Sequence, residues 1–368
     1  MKILFFIGSL GSGGKERRLV ELLTYLKEKK NYEILLLLAF NHIAYPHFFD
    51  LNIDYVDLQK KTNSKDVRLF FKIHHIIKQY KPDIIHTWGN MQTFYMIPSI
   101  IIQQIPLVNS QITTAPPKLL ISKFERFVNY LNFKFSNINL SNSYAGLNSF
   151  KIANDKKSRV IYNGINIERF NDLLNADEVK KKFKIETKFV VIMVASFSYF
   201  KDYNKFITVA DYVTRINNEI TFIGIGGIVD KNLFEKLKCH STKNKHIIIC
   251  DKISNIESLI NICDIGVLFS TMGEGVSNSI LEYMALKKTV IVDDCGGTKE
   301  FVINGVNGFL IKNHSINEIG DLIIDLLYKE SKRNEIGIKA RNTIMSMFTL
   351  EKMGIEFEKL YNELYNKK

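Results

Sequence analysis

Short apolar runs alternate with amphipathic segments of helical spacing along almost the whole chain, in two successive series, and this alternation restricts the folds open to it. In the first series, runs of β character at Lys2 to Ile7, Glu33 to Leu38, Asp83 to His86, Pro106 to Asn109, Asn137 to Ser141 and Arg159 to Tyr162 alternate with helical periodicity at Glu16 to Glu28, Asp66 to Tyr80, Gln92 to Ile102 and Ser143 to Ile152. A polar stretch follows Asn163-Gly164 through Lys182. The pattern then restarts, with runs at Phe189 to Ala195, Ile220 to Ile225, His246 to Ile249, Cys263 to Phe269, Thr289 to Val292 and Gly308 to Ile311. Strands that are apolar throughout are buried on both faces, and the helices between them supply the cover. The expectation is an α/β protein of two doubly wound, Rossmann-like domains, 1–170 and 186–348, divided near 165–185 and followed by a helical tail, 349–368. Such sheets bind ligands outside the carboxyl ends of their strands, which predicts a site in the cleft between the two domains.

A chain of 368 residues exceeds one typical core, as two domains require. The opening apolar run, Ile3 to Ile7, is too short for a signal-peptide core, and no stretch nears the roughly 20 apolar residues of a membrane span. A cytoplasmic protein is expected. Cys239, Cys250, Cys263 and Cys295 have no metal-ligand spacing and read as reduced, mostly buried thiols. The net charge of +12 follows as readily from a Lys-, Asn- and Ile-rich composition as from a selected partner, and no nucleic-acid partner is expected. The stretch Lys118 to Lys134, KLLISKFERFVNYLNFK, interleaves cations with Leu, Ile and Phe. It suits an anionic membrane surface, at the inner face of the cytoplasmic membrane, although its aromatics are equally compatible with a core.

The richest stretch chemically is Ser270 to Gly297, STMGEGVSNSILEYMALKKTVIVDDCGG. The strand Cys263 to Ser270 leads through a loop into a helix with an apolar face at Ile280, Leu281, Met284, Ala285 and Leu286, capped by Ser277 or Asn278. Glu274 then precedes the helix, and Glu282 lies about one turn inside it. The first amides of such a helix favour an anion, typically a phosphate. A carboxylate beside them accepts a pair of hydrogen bonds from the vicinal hydroxyls of a ribose or hexose. The arrangement suits a nucleotide sugar.

The two glutamates with seven residues between them, the Met284-Ala285 pair, the following strand, Gly296-Gly297-x-x-Glu300 and Asn307-Gly308 resemble the C-terminal signature of the retaining family-four glycosyltransferases, or glycosyl transferases group 1. Further matches are Tyr162-Asn163-Gly164 with Phe170, and Ser141-Asn142-Ser143. The resemblance implies the GT-B fold, with a first domain for the acceptor, a second for the nucleotide sugar, and a C-terminal helix returning to the first domain from Leu350 onward.

Three further motifs bear on this resemblance. In GSLGSGGKE, Gly8 to Glu16, a P-loop would need glycine and lysine five and six residues after its first glycine, where Gly13 and Gly14 stand; a dinucleotide fingerprint would need glycine at Glu16. Neither fits. Gly13 and Gly14 still suit close backbone approach to a ligand, and Gly-Gly-Lys-Glu-Arg resembles the family's Gly-Gly-x-Glu-Arg, which faces acceptor and donor phosphates. Lys201 corresponds to the family lysine that neutralises the leaving diphosphate, but Ala195-Ser196 replaces the usual Gly-Arg, so phosphate charge must be met elsewhere, at the helix start near Ser277 or by Lys205. His86, in DIIHTWGN, ends a predicted strand. It either contacts acceptor or phosphate or is a structural histidine packed by Trp88. The family's acceptor-side histidine has no counterpart at Ser110-Gln111.

The resemblance implies a retaining glycosyltransferase that moves a sugar from a nucleoside-diphosphate donor to an acceptor hydroxyl, with a lipid-linked glycan of capsule, lipopolysaccharide or exopolysaccharide assembly as acceptor. Glu282 would hold ribose, Glu274 the sugar, the backbone of Gly275, Val276, Ser277 and Asn278 the sugar and phosphates, and Lys201 the leaving group. With no Asp-x-Asp and no histidines at ligand spacing, neither metal nor cofactor is expected. A nucleotide-sugar epimerase and a catalytically weak nucleotide-sugar-binding partner in a glycan-synthesis complex are the alternatives.

Overall fold

The computed structural model describes residues 1–11, 13–60, 66–116, 121–270 and 273–367; Lys118 of the basic stretch and Thr271 of the glutamate stretch lie outside them. The chain divides into two units, Met1–Gly164 with Leu350–Lys368, and Ile165–Thr349.

The first unit contains strands β1 (Lys2–Ile7), β2 (Glu33–Leu38), β3 (Asp54–Asp57), β4 (Ile84–Trp88), β5 (Leu107–Ile112), β6 (Ile138–Ser141) and β7 (Ser158–Val160). They form a parallel sheet in the order β3-β2-β1-β4-β5-β6-β7, doubly wound as expected. Alternate residues of the apolar strands feed two cores. Ile3, Phe5 and Ile7 face the helix Gly14–Glu28 and the C-terminal helix Leu350–Tyr365, while Leu4 and Phe6 face the helices Arg68–Tyr80 and Asn90–Gln103. The C-terminal helix buries Met353, Phe357, Leu360, Tyr361 and Leu364 at i, i+4, i+7, i+8 and i+11, and each such side chain contributes roughly 1.5–3 kcal/mol on leaving water. Its Glu358 accepts hydrogen bonds from Tyr25 (2.7 Å) and Tyr32 (3.0 Å).

His86 departs from the expectation. The strand runs on through Trp88, so His86 is internal to β4, and the two-residue period turns it onto the face that the C-terminal helix covers. It is fully buried, with Nδ1 2.7 Å from the Tyr361 hydroxyl and Nε2 2.6 Å from Ser110 Oγ, among Phe5, Trp88 and Phe357. Burial, and secondarily the Arg18 guanidinium, hold its pKa well below the usual histidine value. Arg18 is itself buried over the Trp88 and Phe357 rings; its Nη2 donates to the Ile161 carbonyl (2.6 Å), and burial lowers its pKa to about 9. His86 is thus packed as the Trp88 reading had it, in the core of the first unit and not at a strand end.

Lys123–Phe135 forms a helix opened by a Ser122–Glu125 capping box. It buries Val128, Asn129 and Asn132, the asparagines bonding to Asn90 and Gln111, and exposes Phe124, Phe127 and Tyr130. Among the described residues no helix is long and apolar enough to cross a membrane.

The second unit contains β8 (Phe189–Val194), β9 (Ile220–Gly226), β10 (Ile247–Asp251), β11 (Ile265–Leu268), β12 (Thr289–Asp293) and β13 (Phe309–Ile311), all parallel, in the order β10-β9-β8-β11-β12-β13. The order reverses between β8 and β11, where open α/β sheets bind ligands. The stretch read as polar linker is structured, with a 3-10 turn at Ile167–Phe170 and a helix at Ala176–Phe183 whose N-cap Asn175 accepts from the Asp177 amide. Among the cysteines, Cys263 is buried, Cys250 and Cys295 half-buried and Cys239 exposed, so the thiols are free but less buried than expected.

Candidate functional site

The loops leaving β8 and β11 meet at the reversal point. After β8 the chain runs beside the loop after β9, with the Phe197 amide on the Gly227 carbonyl (2.9 Å), and then pairs Lys201 with Ser270 in an isolated antiparallel bridge. Asp202 closes this segment: its amide donates to Phe269 (3.0 Å), and its side chain accepts from the Lys205 amide (2.9 Å) to cap the helix Tyr203–Ile216. These contacts carry the Lys201 ammonium onto the Glu274 carboxylate, where the two form a hydrogen-bonded ion pair. The Ser270 hydroxyl lies 3.0 Å from Glu274 Oε1 and 3.1 Å from the Phe200 carbonyl, so its one proton serves either acceptor. Asp293, at the end of β12, takes the Ser270 amide (2.8 Å) and the Lys205 ammonium (2.6 Å).

Gly296-Gly297 has a physical reason in this site. The Gly297 amide donates to the Glu274 carbonyl (2.7 Å), and Gly296 sits in the left-handed region at φ +59. A Cβ on Gly296 would lie 2.0 Å from that same carbonyl oxygen. The neighbouring Cys295 thiol is pushed up to about 11 by burial and by the Asp293 and Glu274 carboxylates, so it stays protonated at neutral pH and is a poor nucleophile.

The helix after the loop spans Asn278–Ala285, with Ser277 as its N-cap residue in extended conformation. The Ser277 hydroxyl lies 3.0 Å from that of Ser279 and makes no capping bond. Gly275, Val276 and Ser277 are buried, which fixes the backbone ahead of the helix. Glu282 is buried at 2 % exposure, and Arg169 Nη2 stands 3.2 Å from its Oε1 while also pairing with Glu257. The helix is held to the sheet by Tyr283, whose hydroxyl accepts from the Val194 amide (2.6 Å) and whose ring fills the space left by Gly266 of β11.

The second unit therefore brings Lys201 and Glu274 together and sets Glu282 eight residues further on. In the first unit, Gly13 is the N-cap of the helix Gly14–Glu28 at the carboxyl end of β1, with Tyr45 donating to its carbonyl (3.0 Å). Sequence reasoning missed Arg169, Glu257 and Asp293, which act through partners distant along the chain, and Ser270, which lies only four residues before Glu274 and reads merely as the end of a strand. The one available signal was a charged residue at a strand end (Asp293) or inside a recognised motif (Arg169 in VIYNGINIERF). Among the described residues no three His, Cys, Asp or Glu side chains gather as metal ligands do.

Residues 12–169 match the family model described as Glycosyltransferase Family 4, and residues 175–343 the one described as Glycosyl transferases group 1. The chain is 25% identical over 380 residues to an uncharacterised glycosyltransferase of Methanocaldococcus jannaschii, with 96% of each covered. It is 29% identical over 174 residues to an N,N'-diacetylbacillosaminyl-diphospho-undecaprenol alpha-1,3-N-acetylgalactosaminyltransferase of Campylobacter jejuni, a match that spans 46% of this chain and 45% of that one. Among solved structures, an Anabaena protein in complex with UDP-glucose aligns with a TM-score of 0.85 at 20% identity, over 99% of this chain and 100% of that one.

Proposed function

The chain belongs to the group 1 glycosyltransferases of GT-B fold, and we propose that it transfers a sugar from a nucleoside-diphosphate donor to an acceptor hydroxyl, retaining the anomeric configuration and using no metal. The observation that carries this reading is the Lys201–Glu274 pair at the sheet's reversal point, followed by the buried Glu282 on the next helix. In the free protein each member of the pair neutralises the other. A donor would exchange both partners at once: its diphosphate takes Lys201, and its sugar hydroxyls donate to Glu274 in place of the ammonium. Glu282 receives the ribose hydroxyls, and the backbone from Gly275 to Asn278 faces sugar and phosphates. Lys205, fixed by Asp293, is the second cation near the phosphates and partly replaces the arginine whose place Ser196 holds.

In the proposed reaction the acceptor oxygen forms its bond to the anomeric carbon on the face the diphosphate leaves. The carbon–oxygen bond to phosphate breaks, and the acceptor proton passes to a phosphate oxygen of the leaving group. Lys201 stabilises the charge that develops on the diphosphate. The Campylobacter relative, named for a diphospho-undecaprenol acceptor, supports a lipid-linked glycan as the acceptor here. So does the helix Lys123–Phe135, whose exposed Phe124, Phe127 and Tyr130 stand beside the exposed Lys123, Arg126 and Lys134, a pairing that suits an anionic lipid surface. Cosedimentation with phosphatidylglycerol vesicles is expected for the wild type and lost in a Phe127→Asp, Tyr130→Asp variant; a wild type left in the supernatant refutes the membrane reading.

The donor site is tested by thermal stabilisation with UDP, GDP, ADP, CDP and their sugar conjugates. A selective rise in Tm that survives chelator and disappears in Glu282→Ala is expected; a ligand at 100 times its Kd stabilises by about 2.7 kcal/mol. No shift with any nucleotide would sink the donor site. A shift without turnover would favour the non-catalytic partner, the reading that Ser196 in the arginine's place supports.

A further inference from the structure

Glu282 is a carboxylate taken almost wholly out of water, and a buried carboxylate needs a cation or several hydrogen-bond donors to remain charged and in one orientation. Its guanidinium partner comes from far away in sequence. Arg169 lies in the 3-10 turn Ile167–Phe170, at the start of the second unit, and its Nη2 reaches both Glu282 Oε1 and Glu257.

The turn that carries Arg169 is itself fixed. Asn166 accepts from the Glu168 amide (3.0 Å), Phe170 is buried, and the Leu174 amide donates to Ser258 Oγ (3.0 Å) on the same short helix, Ile256–Asn261, that presents Glu257. A guanidinium is planar, permanently charged and forked, so one arginine can hold two carboxylates at defined angles where an ammonium is a point charge. With two carboxylates about one cation, removal of the cation leaves like charges facing each other.

We propose that Arg169 is a positioning residue for donor binding, which holds the Glu282 carboxylate oriented for the donor's ribose diol, with Glu257 pairing with the same Nη2 and fixing the guanidinium in place. The proposal rests on the assignment of Glu282 to the ribose. Arg169 does not touch the reacting atoms. Its loss is therefore expected in donor affinity, while kcat at saturating donor is retained.

The test uses the full chain and whichever of UDP, GDP, ADP and CDP binds the wild type most tightly, measured by titration calorimetry. Arg169→Gln should weaken that nucleotide about 10-fold, the worth of one charge-assisted hydrogen bond. Arg169→Lys should recover part of the loss, and Arg169→Gln combined with Glu282→Ala should bind no more weakly than Glu282→Ala alone, since the two act as one unit. In turnover, Arg169→Gln should raise the donor KM with kcat kept. Wild-type affinity in Arg169→Gln, alongside lost binding in Glu282→Ala, overturns the role of Arg169 and leaves Glu282 in place. Wild-type affinity in Glu282→Ala, or no binding of any of the four nucleotides to the wild type, sinks the ribose assignment and this inference with it. Should Arg169→Gln not fold, Arg169→Lys decides: unchanged affinity refutes the proposal and a several-fold loss supports it.

Discussion

Glu274→Gln is expected to lower donor turnover by about 10²- to 10³-fold while leaving nucleotide affinity within a few-fold of the wild type. The amide keeps the side chain's shape and its contact with Ser270, yet removes the charge that Lys201 now balances. Lys201 is then left without its carboxylate in a part-buried site, so the diphosphate meets a cation already released and binding holds up. What fails is the strong acceptance of sugar hydroxyl protons as positive charge develops at the anomeric carbon. Release of nucleoside diphosphate from the donor, followed with and without acceptor, measures this. A rate within three-fold of the wild type would remove Glu274 from the machinery.

Gly296→Ala is expected to be the most damaging change among the small-residue positions of this site, because two penalties coincide. A non-glycine residue in the left-handed region costs about 1–2 kcal/mol. The added Cβ would also meet the Glu274 carbonyl oxygen at 2.0 Å and its amide nitrogen at 2.7 Å, and backbone cannot rotate away as a side chain does. An overpacking cost of about 1–3 kcal/mol is typical of such collisions. The two together predict a loss of about 2–5 kcal/mol in urea unfolding, together with lost activity as Glu274 is pushed off Lys201. Gly305→Ala is the control. It also has positive φ, +73, but no heavy atom lies within 4 Å of its added Cβ, so only the conformational penalty applies. Equal losses in the two variants would show that the contact with Glu274 does not matter.

The two doubly wound sheets are legible in the sequence because most of their strands are short, largely apolar runs: β1 and β2 fall where the runs place them, and the others except β3 within a few residues. The elements that escape are those whose composition runs against that signal. Edge strand β3, Asp54–Asp57, is half-exposed and carries acids at both ends. The helix Lys123–Phe135 turns its asparagines inward and its aromatics outward, so its hydrophobic pattern does not report which face is buried. At His86 a strand end misplaced by two residues was enough to change the histidine from a rim group to a core one.

In the candidate site, the Glu274–Glu282 spacing is legible because it is local, one loop and one turn of helix. That Lys201 meets Glu274, or that Arg169 spans Glu257 and Glu282, depends on pairs 73 to 113 residues apart, which no periodicity encodes. Even the glycines are informative only in space: Gly296 and Gly297 read as a family pattern, and the backbone of Glu274 explains them.

The placement of Leu350–Tyr365 in the first unit sets the order in which the protein can be assembled on the ribosome. The second unit is one uninterrupted stretch, so it can complete its core as soon as it emerges. The first unit is synthesised earlier yet must wait, with Phe5, His86 and Trp88 of its sheet uncovered beside Leu22 and Leu26 of the helix Gly14–Glu28, until the helix Leu350–Tyr365 arrives with Phe357 and Tyr361. Newly made chains thus pass through a state in which the half built first is the half finished last, and the need for chaperone cover falls on that exposed sheet.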